Sequence, residues 1–164
     1  MDSPSITFSD MHVAALRTFL IKGPDVWAER YEEQLKREDD LGFLFLMYCA
    51  LAKAAHRRFS PTFSHPQIIR YVADLRLSLE EDAHELNPRV AEGVLRYALG
   101  DKTLISRPPF GADQVTMVRA QIYLLLGLIS EMDLNDAELE QLVKDSTEYA
   151  TEWLTAWQAE SRSR

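Results

Sequence analysis

Four stretches of this chain share one local pattern, and it restricts the fold more than any other feature of the sequence. An apolar residue precedes a side chain able to cap a helix, and a second apolar residue follows four positions after the cap. The four are Phe8-Ser9 with Val13, Phe63-Ser64 with Ile68, Leu86-Asn87 with Ala91, and Leu134-Asn135 with Leu139. The cap oxygen can accept from N–H groups that a first helical turn leaves without partners, and the apolar pair staples the chain as it turns into the helix. Gln67 after Ser64 and Glu138 after Asn135 add capping boxes. With so many specified helix starts and no strand alternation, the chain is expected to be all-α.

The apolar periodicity predicts about seven helices. The first covers Asp10 to Lys22, carries Val13, Leu16, Phe19 and Leu20, and is closed by Gly23-Pro24. The second covers Asp25 to Arg37, where Trp27, Tyr31 and Leu35 recur every four residues. The third, Leu41 to Arg58, takes Asp40 as its cap and is apolar on all sides for three turns; cations His56, Arg57 and Arg58 suit its negative end. The fourth runs from Ser64 to about Leu86, with Ile68, Val72, Leu75 and Leu79 on one side. The fifth opens at Asn87-Pro88 and stops at Gly100. The sixth, Asp113 to Met132, is strongly apolar. The seventh starts at Asn135 and carries a stripe from Leu139 through Trp157. The expected architecture is a single-domain orthogonal or antiparallel helical bundle over residues 9–159, with an N-terminal extension at 1–8 and a flexible tail at 160–164. The third and sixth helices are expected at its centre.

Length, composition and charge narrow the function classes. A chain of 164 residues suits one domain and can bury a core without a metal or disulfide. The single cysteine, Cys49, cannot form an internal disulfide and sits in an apolar segment, where an inert buried thiol is expected. The net charge of -8 repels phosphate backbones. A helix-turn-helix reading of the third and fourth helices would present Gln67, Arg70 and Arg76, but Asp74 cancels charge there and the surround is acidic. No nucleic-acid partner is therefore expected. The longest apolar run, Leu41 to Ala52, is too short to span a bilayer. Met1 to Asp10 has neither a basic n-region nor an apolar h-region, so the expected location is cytoplasmic, with no membrane partner.

No residue set carries a clear chemistry. Glu81, His84 and Glu85 place carboxylate and imidazole three residues apart, as di-metal carboxylate bundles do, but a second copy is missing. Asp39-Asp40-Leu41-Gly42-Phe43 resembles the acid-rich metal motif of terpene cyclases. Their second motif is absent, since Asn135-Asp136 is followed by Leu139 and Val143 where serine and glutamate are required. His12, His56 and His65 are dispersed, and no glycine-rich phosphate loop occurs. The expectation is a non-enzymatic protein with no cofactor and no metal.

Three groups of residues remain as candidate sites. Tyr149, Trp153 and Trp157 form an aromatic stripe near the chain end, suited to packing or to anchoring a partner. Arg107 and Phe110 lie in the longest connector, 101–112. Phe45, Tyr48 and Tyr123, on the two most apolar helices, could line a pocket. The leading expectation is an interaction protein that self-associates, as a homodimer, or binds a protein partner through an apolar helix face. The alternative is a helical sensor of a small ligand. A metal-dependent enzyme built on Glu81 and His84 ranks third.

Several segments also resemble an uncharacterised family of small all-helical actinobacterial proteins. They are Phe8-Ser9-Asp10 with Leu16-Arg17, Arg57-Arg58-Phe59, Ile69-Arg70-Tyr71-Val72-Ala73, Ala98-Leu99-Gly100-Asp101 and Asp136-Ala137-Glu138-Leu139. The resemblance runs through most of the chain. It implies an all-helical fold and brings no activity, ligand or catalytic residue with it.

Overall fold

The computed structural model describes residues 7–37, 41–59, 62–100 and 113–162. Among these, eight α-helices, one π turn and one 3₁₀ turn are present and no strand. The fold is all-α, a packed set of helices, with eight in place of the seven expected. The extra pieces have local causes. The expected cap Asp40 and the connector residues Arg107 and Phe110 lie outside the described residues.

The described chain sorts into two compact units, residues 1–50 with 134–164, and residues 51–133. In the first unit, α1 (Asp10–Ile21) starts at Ser9, whose N–H donates to Nδ1 of His12 at 3.0 Å. Histidine thus takes the place that Glu or Gln occupies in the usual capping box. The helix stops at Gly23, where φ is +101°, and the N–H groups of Lys22 and Gly23 both donate to the Thr18 carbonyl. Such a left-handed stop costs a glycine nothing. Ala15, Leu16, Phe19 and Leu20 are buried, each large one contributing about 1.5–3 kcal/mol.

The expected second helix is three pieces: α2 (Pro24–Trp27), a π turn (Ala28–Glu32) and α3 (Glu33–Arg37). Trp27, Tyr31 and Leu35 are four residues apart, more than the 3.6 of an α-helix, so their side chains would drift around a regular helix. The wider π turn absorbs the excess. It leaves Leu35 buried and holds Trp27 between Phe43, stacked at 5.4 Å, and the edge of Phe19 at 5.8 Å.

Helix α4 (Leu41–Arg58) supplies residues through Ala50 to the first unit and the rest to the second. Phe43, Leu46, Met47, Cys49, Ala50, Leu51, Ala52, Ala54 and Ala55 are buried, which explains its all-round apolar composition. Gly42 lets the chain before α1 lie against it. A Cβ there would run into the Thr7 carbonyl oxygen and sit 2.9 Å from Cε1 of His12. Helix α8 (Asp136–Arg162) begins with the expected box: Asn135 N–H donates to Glu138 Oε1 at 3.2 Å, and Glu138 N–H to Asn135 Oδ1 at 2.8 Å. It packs on α1, with Arg17 paired to Glu140 at 3.0 Å, and its Leu139, Leu142, Val143, Ser146 and Ala150 are buried.

In the second unit, α5 (His65–Ser78) has the expected Ser64–Gln67 box, with bonds of 2.9 and 3.4 Å. It ends well before Leu86, and a 3₁₀ turn (Glu80–Glu85) follows. The acids explain the break. Glu80, Glu81, Asp82 and Glu85 would crowd the negative end of a longer helix, whereas after the break three of them occupy a first turn. Glu80 takes φ +52°, and Arg76 Nε donates to the carbonyls of Ala83 and Leu86 at 3.3 and 3.0 Å, clasping the turn.

Helix α6 (Pro88–Ala98) is capped by Asn87, whose side chain accepts from the N–H groups of Arg89 and Val90. It packs against α5 and against α7 (Gln114–Met132). Helix α7 is capped by Asp113, accepting from Thr116 N–H at 2.7 Å, and turns inward Ala120, Leu124, Leu125 and Leu128. Among the described residues it is the one helix long and apolar enough to cross a membrane by length and composition.

Candidate functional site

The aromatic stripe on α8 has two fates. Trp153 is seated edge-on among Phe45 at 5.4 Å, Tyr48 at 5.8 Å and Tyr149 at 5.9 Å. Tyr149 and Trp153 are one turn apart on α8, and Phe45 and Tyr48 one turn apart on α4, so two helices bring four rings together. Trp157, one turn further along the same stripe, is 39% exposed. Helical geometry puts it in line with buried Leu139, Leu142, Ser146 and Ala150. Among the described residues, the stripe therefore outruns the side chains that cover it.

The residues expected to line a pocket fall in different units. Phe45 and Tyr48 belong to the ring cluster of the first unit. Tyr123 belongs to the second, where its hydroxyl donates to the Glu85 carboxylate. That bond, with burial and the charge of Glu85 adding to it, pushes the phenol up to about 12. Glu85 is thereby turned to Tyr123, while Nδ1 of His84 lies 2.9 Å from the Glu81 carbonyl. Among the described residues no group of three or more His, Cys, Asp or Glu side chains is placed to hold a metal ion. Cys49 is fully buried.

A cleft that the sequence reading did not identify lies in the second unit, between the polar side of α5 and the end of α7. Its volume is about 640 Å³, within the range of small-molecule sites. Gln67, Tyr71, Asp74 and Ser78 line it at spacings of four, three and four, one continuous helix edge; Gly127, Ser130 and Glu131 line it from α7. Arg58 lines it as well. Its Nε bonds Glu131 Oε1 at 2.8 Å, and its guanidinium lies 5.0 Å from the Phe59 ring centre and 5.9 Å from that of Tyr71. Phe59 meets Tyr71 edge-on at 5.4 Å.

The Tyr71 hydroxyl is enclosed and has no hydrogen-bond partner among the described residues. Burial, and secondarily the Glu131 carboxylate, push its pKa far above the ordinary phenol value, against a smaller opposing pull from Arg58. Gly127 makes room for this arrangement: an added Cβ would stand 2.8 Å from Leu75 Cδ1 and 3.4 Å from Tyr71 Oη. Two signals in the sequence mark the cleft. One is a glycine inside an apolar helix, where it costs about 0.5–1 kcal/mol relative to alanine. The other is the polar stripe that flanks the buried Ile68 and Val72 of α5. Of the residues weighed for DNA contact, Gln67 caps α5, Arg76 clasps the 3₁₀ turn and Arg70 lines the cleft.

Comparison with protein-family models, with curated proteins and with solved structures returned no match to this chain.

Proposed function

We propose that this protein is a non-enzymatic interaction module that docks a protein, first of all a second copy of itself, through the end of the apolar stripe on α8. One observation carries the reading. Trp157 continues a stripe whose other large members are buried or half-buried, yet it remains 39% exposed. Trp153 fixes the helix one turn before it, so the ring is presented from a rigid support at little entropic cost. Size-exclusion chromatography with light scattering tests the proposal. The expected result is a mass approaching two chains as concentration rises, returned to one chain by Trp157→Ala. A monomer at every concentration, unchanged by that substitution, defeats the self-association reading.

Small-ligand binding is the second reading. It is favoured by the α5–α7 cleft rather than by Phe45, Tyr48 and Tyr123.

A further inference from the structure

We infer that the α5–α7 cleft takes a small zwitterionic ligand with an apolar arm, of the kind an α-amino acid with a large side chain represents. The inference specifies the second reading above and does not depend on docking at Trp157. Four charged side chains line the cleft, and they divide into a satisfied pair and an unsatisfied one. Arg58 and Glu131 neutralise each other at 2.8 Å. Arg70 and Asp74 sit one turn apart on α5, and neither has an ion-pair partner among the described residues. A cation placed N-terminal to an acid at this spacing is the weaker order for a helix pair, so the two have little reason to close on each other.

That charge arrangement selects among ligands. An anion drawn to Arg70 is opposed by Asp74 one turn away, and a cation drawn to Asp74 is opposed by Arg70. The two Coulomb terms nearly cancel in either case. A molecule carrying both an ammonium and a carboxylate gains from both side chains at once. The half-buried Tyr71 ring and Leu75 offer the apolar surface beside them, backed by buried Phe59. Gln67 keeps its amide N–H groups available, because its Oε1 is the atom engaged by the Ser64 N–H.

The test is a nuclear magnetic resonance titration of the isotope-labelled full chain with L-phenylalanine. Hydrocinnamate and phenethylamine serve as probes with the same arm and one charge each. L-Phenylalanine should shift the amides of residues 67–78 and 127–131 saturably, in the millimolar range expected of so small a ligand. Each single-charge probe should bind at least about tenfold more weakly. Arg70→Ala and Asp74→Ala, both at exposed helix positions, should each weaken L-phenylalanine by a similar factor and leave the thermal midpoint in place. Equal binding of the three probes overturns the zwitterion assignment and leaves a small-molecule cleft standing. No saturable shift with any of them overturns both.

Discussion

Two glycines inside helices look alike in the sequence and should answer differently to the same substitution. At Gly42 the methyl of alanine meets the Thr7 carbonyl oxygen, a backbone atom that cannot rotate away, and the His12 ring at 2.9 Å. At Gly127 it meets the tip of Leu75 at 2.8 Å, a side chain with rotamers to spare. Both substitutions gain about 0.5–1 kcal/mol of helix preference. Gly42→Ala should nonetheless lose about 1–3 kcal/mol through overpacking, while Gly127→Ala should stay within about 1 kcal/mol of the wild type. Urea unfolding curves separate the two. Tyr71 gives the opposite sign. Its hydroxyl is enclosed without a partner among the described residues, so Tyr71→Phe should raise stability by about 1 kcal/mol. A loss on that substitution would mean that the hydroxyl has an acceptor after all.

The helix ends follow the capping residues closely, and one of them is pH-sensitive. Asp113 is held below the ordinary carboxylate value of 3.8, first by the Thr116 N–H and then by the Thr116 side chain. A depressed folded pKa contributes stability above the unfolded value, and that contribution disappears as the pH falls through the folded one. The first turn of α7 should therefore loosen on acidification below about 4, read as lower amide protection factors at Thr116 and Met117 once the intrinsic exchange rate at each pH is divided out. Asp113→Asn, which still caps but does not titrate, should remove the dependence. The caps at Ser9, Ser64, Asn87 and Asn135 were legible because a cap needs only neighbours three residues away. The π turn was half legible. The four-residue recurrence of Trp27, Tyr31 and Leu35 stands in the sequence, but its meaning depends on whether packing or helical winding yields. The break after Ser78 was missed because apolar Leu79 continues the period, while the acids after it disfavour a C-terminal end. The cleft was the least legible. It needs Gly127 to face Tyr71 and Leu75 from an element far along the chain, and no local spacing encodes that. Trp153 and Trp157, equivalent on a helical wheel, part company for the same reason.

At the scale of the molecule, charge opposes the docking proposed for Trp157. Two copies each carrying -8 repel. Raising the ionic strength from about 0.01 M to 0.15 M shortens the screening length from about 30 Å to about 8 Å. Self-association through an apolar anchor should therefore strengthen with salt in sedimentation measurements. Weakening with salt would assign the contact to paired charges instead. The three tryptophans also form a graded set of reporters. Trp27 is sandwiched against Phe43, Trp153 is ringed by three aromatic neighbours, and of the three only Trp157 is exposed rather than half-buried. An aqueous quencher such as iodide consequently meets one indole well before the other two. The earliest-quenched fraction of the native emission thus watches the end of α8 with no label attached, and a lost fraction would signal a covered ring.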